Sequence, residues 1–151
     1  MRDITLRAAT ADDYDFCYRV QKATMQEYVE QTWGWDEAFQ QAYFRQRFDP
    51  ARNQVIVLGG ADIGVFAVER RERDIFLAKI YILPEYQRRG IGTGLIKSVL
   101  QEAFKEGLPV TLRVLKVNPA RRLYERLGFA VIEENDEFFI MRATPPAEPD
   151  C

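Results

Sequence analysis

The sequence predicts an α/β (α+β) domain on a mixed sheet, with elements in the order β-α-α-β-β-β-α-β-α-β-β. Three observations carry this. Apolar runs at 54–60, 62–70 and 73–83, the first two joined around Gly59-Gly60-Ala61-Asp62, have the pattern of hairpin-linked strands. Ile91, Leu95, Val99 and Ala103 then step by four along a helix that ends before Gly107. Beyond it, strand-like runs enclose one short segment opened by Asn118-Pro119 and stopped by Gly128, a pairing typical of helix ends.

In chain order, residues 3–8 alternate apolar and polar, as a half-buried strand does. Thr10 heads "TADD", an N-cap with acidic residues behind it. Phe16, Cys17, Val20, Thr24 and Tyr28 continue one helical face. A second helix begins at Thr32 or Asp36 and runs to about Phe48, with Phe39, Ala42, Tyr43 and Phe44 as its buried side. "DPARN" is a turn. In the strand 73–83, Phe76, Ala78, Ile80 and Ile82 share one face, and Ile75, Leu77, Lys79 and Tyr81 the other. "PVTLRVLKV" is another strand, "NPARRLYERLG" a short helix, and "FAVIEE" with "DEFFIMRA" a closing hairpin around Asn135. One domain is expected over 1–143, followed by a disordered tail over 144–151, "TPPAEPDC".

With 151 residues the chain can bury one real core. A net charge of −2 argues against a dedicated nucleic-acid partner. There is no apolar run near 18 residues and no leader-like start, so a cytoplasmic protein without a membrane partner is expected. Cys17 and Cys151 are the only cysteines; no disulfide and no metal site is expected from them. The oligomeric state is not fixed, and a homodimer stays open. The chain has no histidine, so any chemistry must use Tyr, Asp, Glu, Lys, Arg or backbone amides.

"QRRGIGTG" sits where a strand feeds a helix. First-turn amides have no intrahelical acceptor, and the helix dipole favours an anion there. Gly90, Gly92 and Gly94 remove Cβ atoms that would hold a phosphate away, and Arg88 and Arg89 add charged donors. This corner suits a pyrophosphate. It is neither the ATP-type phosphate loop, for which Lys97 is misplaced, nor a Gly-x-Gly-x-x-Gly dinucleotide fingerprint. The plainer alternative is a tight turn with a solvated basic rim. For Tyr124, on the later short helix, the plainer alternative is a ring packed in the core.

Together, "IYILPEYQRRGIGTGLI" and "NPARRLYERLGF" resemble the signature of the GNAT superfamily of acetyl-CoA-dependent N-acyltransferases, over about 75–129. The resemblance implies a mostly antiparallel central sheet flanked by helices. It also implies acetyl transfer from acetyl-CoA to a primary amine, of a small molecule or a peptide, by direct attack. Backbone groups of Ile80, Tyr81 and Ile82 would meet the pantetheine arm as an added strand does. The segment Gln87, Arg88, Arg89, Gly90, Ile91, Gly92, Thr93 and Gly94 would hold the pyrophosphate, chiefly by amides. Asn118 would contact the cofactor arm, and Tyr124 would protonate the departing thiolate. The interval from Asn118 to Tyr124 is six residues where the family commonly has seven, so Asn118 reads equally well as a helix cap.

The acceptor amine must be neutral to attack. At pH 7 this costs about 1.4 kcal/mol for an α-amine and about 4.6 kcal/mol for a lysine-like one. Some family members carry a Glu on the strand before the Asn motif; here "TLRVLKV" offers only Arg113 and Lys116. Glu30, Asp36, Glu85 and Glu137 could act through water, but no spacing selects among them. Trp33 and Trp35, with Glu30 nearby, could seat a cationic amine, or they could pin helices to the sheet. Two rival readings follow. One is a non-catalytic CoA-binding regulatory domain; the other is a nucleic-acid module using arginines at 70–73, 88–89 and 121–122.

Overall fold

The computed structural model describes residues 3–147, so the tail's last four residues, Cys151 among them, lie outside the described part. Seven strands form one sheet: β1 (Ile4–Ala8), β2 (Gln54–Leu58), β3 (Ala61–Arg70), β4 (Ile75–Ile82), β5 (Val110–Leu115), β6 (Ala130–Glu134) and β7 (Phe138–Ala143). Their spatial order is β1-β2-β3-β4-β5-β7-β6. β1 with β2, β2 with β3, β5 with β7 and β6 with β7 pair antiparallel, whereas β4 and β5 run parallel. Four helices complete the predicted order: α1 (Tyr14–Trp33), α2 (Glu37–Arg47), α3 (Ile91–Lys105) and α4 (Arg121–Arg126). Contacts divide the chain into two compact units, Met1–Val68 with Ala78–Gly92, and Glu69–Leu77 with Thr93–Cys151.

In the first unit, Thr10 is the expected N-cap, and Asp13 completes a capping box with it over a 3₁₀ turn that leads into α1. Asp36, not Thr32, opens the second helix: its carboxylate accepts the amide of Phe39 at 3.0 Å. Thr32 lies inside α1, its hydroxyl donating to the carbonyl of Tyr28. The expected buried side of α2 needs correction. Only Phe44 is buried; Ala42 is exposed, and Phe39 and Tyr43 are 59% and 43% exposed. Phe44 fits because three rings, Tyr14, Tyr18 and Phe48, meet it within 5.4 Å. On the other side Phe39 stacks on Tyr43 at 5.7 Å, and Arg47 covers that ring at 4.4 Å, so the pair shields itself. β1 departs from the simple alternation as well. It is an edge strand whose Leu6 is exposed, while Arg7 turns to Asp13 at 2.8 Å and Asp62 at 3.0 Å.

In the second unit, α3 buries Leu95, Ile96, Leu100 and Ala103 along one stripe, each large residue worth roughly 1.5–3 kcal/mol. Val110, Leu112 and Val114 of β5 are buried too. Asp74 is a buried acid with full partners: the Arg71 guanidinium binds it twice at 2.7 Å, and the hydroxyl of Thr111 donates at 2.8 Å. Asn135 closes the last hairpin by accepting the amides of Glu137 and Phe138.

Candidate functional site

The glycine corner is built on the end of β4. A 3₁₀ turn at Pro84–Tyr86 follows the strand, and the side chain of Gln87 reaches back to donate to the carbonyl of Ile82 at 2.8 Å. That bond fixes the loop to the strand end. Arg88 has φ 65° and Gly90 φ 79°, with Arg89 between them on the ordinary side. Alternating handedness turns successive amides toward one side, an arrangement that makes a concavity for an anion. Gly90 suits its position because left-handed backbone costs an L-residue energy. Ile91 then starts α3, whose first-turn amides lack intrahelical acceptors. At Gly92 an added Cβ would lie 3.5 Å from Ile82 and 3.8 Å from Ile80, so the helix start lies close on the strand. Thr93 and Gly94 continue that first turn, half-buried.

Arg89 is not extended toward this concavity. It donates to the carbonyl of Glu85 at 3.1 Å and lies over Tyr86 at 5.3 Å, while Arg88 is exposed. β4 pairs with β5 only at Ile75–Val110 and Phe76–Thr111 among the described residues. The stretch carrying Ile80, Tyr81 and Ile82 therefore has no β5 partner.

In the second unit, Tyr124 is set by the end of α4. Gly128 has φ 101°, the amide of Phe129 donates to the carbonyl of Tyr124, and that of Gly128 donates to the carbonyl of Glu125. These two bonds are the Schellman pattern of a helix C-terminus. Phe129 is buried, and its ring meets that of the half-buried Tyr124 edge-on at 6.0 Å. Asn118 precedes the helix by a turn: its side-chain oxygen accepts the amide of Ala120 at 2.9 Å, a cap-like role displaced from the helix start at Arg121. Nearby, Lys116, Asn118, Arg121, Arg122 and Glu125 line an open cavity of about 510 Å³. Arg121 lies 4.4 Å over Phe139 and pairs with Glu125, and Lys116 pairs with Glu134.

The aromatic stretch of the first unit centres on a residue the sequence reading did not select. Glu37 accepts from Tyr18 at 2.7 Å, Trp35 at 2.9 Å and Gln41 at 2.9 Å, and pairs with Lys22 at 2.7 Å. Lys22 and these other donors hold its carboxyl down at about 2. Trp35 is thus locked by Glu37. Trp33 ends α1 and is 56% exposed; Glu30 is exposed on the same helix. Among the expected nucleic-acid arginines, Arg70 pairs with Glu106 and Arg71 with Asp74, so these two guanidiniums are engaged within the fold.

The profile of the acetyltransferase (GNAT) family matches residues 10–129. The chain belongs to the GNAT acetyltransferase family. Among relatives of this GNAT chain, the thialysine N-epsilon-acetyltransferase of Mus musculus is 36% identical over 72 residues, 46% of this chain and 42% of that protein. The chain thus spans under half the length of the curated relatives it matches. A PaiA N-acetyltransferase from Thermoplasma acidophilum, solved with coenzyme A, shares the fold with a TM-score of 0.75 and 18% identity, covering 93% of this chain and 98% of its own. The ribosomal-protein-S18-alanine N-acetyltransferase of Escherichia coli gives 0.66 and 20%, with 98% of both chains covered. No helix among the described residues of the GNAT chain is long and apolar enough to cross a membrane. No described group of three or more His, Cys, Asp or Glu could hold a metal ion.

Proposed function

We propose that this chain is a transferase that moves the acetyl group of acetyl-CoA onto a primary amine by direct attack, working as one N-acetyltransferase domain over residues 1–143 in the cytoplasm. The observation that carries the reading is the corner itself: alternating backbone hands at Arg88 and Gly90 feed a helix start that lies close on Ile80 and Ile82. A dianionic pyrophosphate fits amides so arranged, and Gly90 and Gly92 leave them uncovered. The segment from Gln87 to Gly94 would hold that group, with Gln87 as its brace and the exposed Arg88 as its cation. The β4 edge at Ile80–Ile82 suits the pantetheine amides, which pair as a strand does. The carbonyl of Ile82 is already engaged by Gln87, so amides and the remaining carbonyls must serve.

Acetyl-CoA supplies the activated acyl carbon. Tyr124 gives its phenolic proton to the leaving sulfur. A phenol near 10 and a thiol near 8.5 differ by about 1.5 units, so this transfer costs only about 2 kcal/mol. Asn118 braces α4 and turns toward the cofactor arm. Trp33, Trp35 and Glu30 face the acceptor, and the name of the mouse relative points to an amine on a flexible side chain. A regulatory CoA-binding domain is the second reading, favoured by the basic residues Arg113 and Lys116 where the family can carry an acid.

Tyr124→Phe separates the two. Thiol release from acetyl-CoA, across a panel of alkylamines and peptides, should fall about 100-fold at unchanged CoA affinity by calorimetry. Wild-type protein that binds CoA yet releases no thiol with any amine would hand the case to the regulatory reading.

A further inference from the structure

α2 turns a broad side to solvent. Arg45, Ala38, Ala42, Gln46, Phe39, Tyr43 and Arg47, taken in order around the helix, are all exposed, and Phe44 alone is buried. A single exposed aromatic on a surface is ordinary. Here the aromatics belong to a row. Phe39, Tyr43 and Arg47 follow one another at intervals of four, with Phe39 stacked on Tyr43 at 5.7 Å and the Arg47 guanidinium 4.4 Å over the same ring. The row is a continuous ridge, and stacking still leaves Phe39 59% and Tyr43 43% exposed. Beside it runs a second row of four-residue steps, Ala38, Ala42 and Gln46, whose first two members carry only a methyl group. The face thus holds a bulky ridge next to a shallow groove of the same inclination.

Its charges are divided by position. Arg45 and Arg47 stand in the last turn, and Asp36 stands at the N-cap. Among the described residues neither arginine has a carboxylate partner, and the Asp36 carboxylate accepts only the amide of Phe39. No acid lies on the exposed face between the two ends. A second copy of α2 turned end to end would bring arginines to aspartate at both ends and oppose the two helix dipoles. A copy laid in the same direction would set the arginines against each other. A uniformly acidic partner would suit the arginines but repel Asp36.

We propose that α2 is a homodimer interface, two copies packing antiparallel about a two-fold axis near Ala42. The Phe39–Tyr43 ridge of each copy enters the Ala38–Ala42 groove of the other, the helices crossing at about 50° as four-residue rows do when they interdigitate. The two-fold repeats every contact, so Arg45 and Arg47 of each copy meet Asp36 of the other. These exposed ion pairs set direction more than strength, and the rings carry the affinity. A helix about 16 Å long covers less than the roughly 800 Å² per partner of a standard interface, so a dissociation constant of about 10–100 µM is expected.

Sedimentation velocity of the full chain, from about 1 µM to about 1 mM, should show the mean mass rising from one chain toward two. Phe39→Gln changes an exposed ring, should keep the circular dichroism of wild type, and should raise the dissociation constant about tenfold or more. Arg45→Glu combined with Arg47→Glu should weaken the dimer about tenfold at low salt, and less at about 0.5 M salt, where the pairs are already screened. Asp36→Asn keeps the cap without the charge and should weaken it about threefold at low salt. In a Cys151→Ser background, Ala42→Cys should oxidise to a linked dimer much faster than Arg47→Cys, since only a residue near the axis meets its own copy. A chain still monomeric at about 1 mM would overturn the proposal and leave the face to an unlike partner. So would a dimer untouched by Phe39→Gln and by the double arginine change, or equal cross-linking from Ala42→Cys and Arg47→Cys, which an antiparallel pair forbids.

Discussion

The amide of Phe129 donates to the carbonyl of Tyr124 at 3.0 Å while their rings meet edge-on, so one buried phenylalanine positions the tyrosine from both backbone and side chain. The turn between them depends on Gly128 at φ 101°. Gly128→Ala should cost about 1–2 kcal/mol in urea unfolding. It should also lower kcat more than it raises the KM for acetyl-CoA, because the phenol is displaced. Unchanged kcat at reduced stability would separate Tyr124 from the chemistry.

Gly64 on β3 faces the backbone of β4. An added Cβ would press into the carbonyl oxygen of Tyr81 and lie 3.2 Å from the Cα of Ile82. Both obstacles are backbone, which cannot rotate away. Gly64→Ala should therefore destabilise by about 1–3 kcal/mol. It should also weaken CoA binding several-fold in calorimetry, since it moves the strand expected to carry the pantetheine. Wild-type affinity in a stably folded variant would argue that Ile80–Ile82 do not touch the cofactor.

Asp13 supplies an acid-sensitive tie. The hydrogen bonds from Arg7 outweigh burial and hold its carboxyl at about 2, below its ordinary 3.8. The folded value is the lower one, so this stabilisation is present above about pH 4 and fades as pH falls toward 2. With solvent screening it amounts to roughly 1 kcal/mol. Arg7→Met should lower the unfolding free energy by about that much at pH 7 and flatten its fall between pH 4 and 2, as read from urea midpoints across pH.

What the sequence disclosed follows the range of the forces involved. The corner at Gln87–Gly94 and the Gly128 stop are set by turn chemistry within a few residues, and both were legible. So was the order of elements, which rests on periodicity. The face of α2 was not. Phe39, Tyr43, Phe44 and Phe48 spread aromatics over about half its circumference, and only the rings of Tyr14 and Tyr18, some 26 to 30 positions earlier, select Phe44. Glu37 was missed for a related reason. It looks like an ordinary surface charge until Tyr18 and Lys22 of α1 are placed around it, and nothing in the local spacing marks it. Of the acids the sequence left open, Asp36 caps α2, Glu30 and Glu85 are exposed, and Glu137 is half-buried beside β7.

Glu37 ties α1, α2 and the Trp35 loop together, and its removal should separate acceptor handling from cofactor handling. Its carboxyl is held at about 2, first by Lys22 and then by Trp35, Tyr18 and Gln41. Its support is therefore present above pH 4.5 and is lost only as pH falls toward 2, well below any assay range. Glu37→Gln keeps the volume and removes the charge. Lys22 loses its counter-ion, and an amide oxygen cannot satisfy the four donors that now converge on the carboxylate. The indole of Trp35 should loosen, seen as a shift in tryptophan emission above the background of the exposed Trp33. The KM for the acceptor amine should rise about 3- to 10-fold, while kcat and CoA affinity change less than twofold. A fall in kcat at constant KM would place Glu37 in the chemical step instead, and unchanged kinetics with altered emission would move the acceptor away from Trp35 altogether.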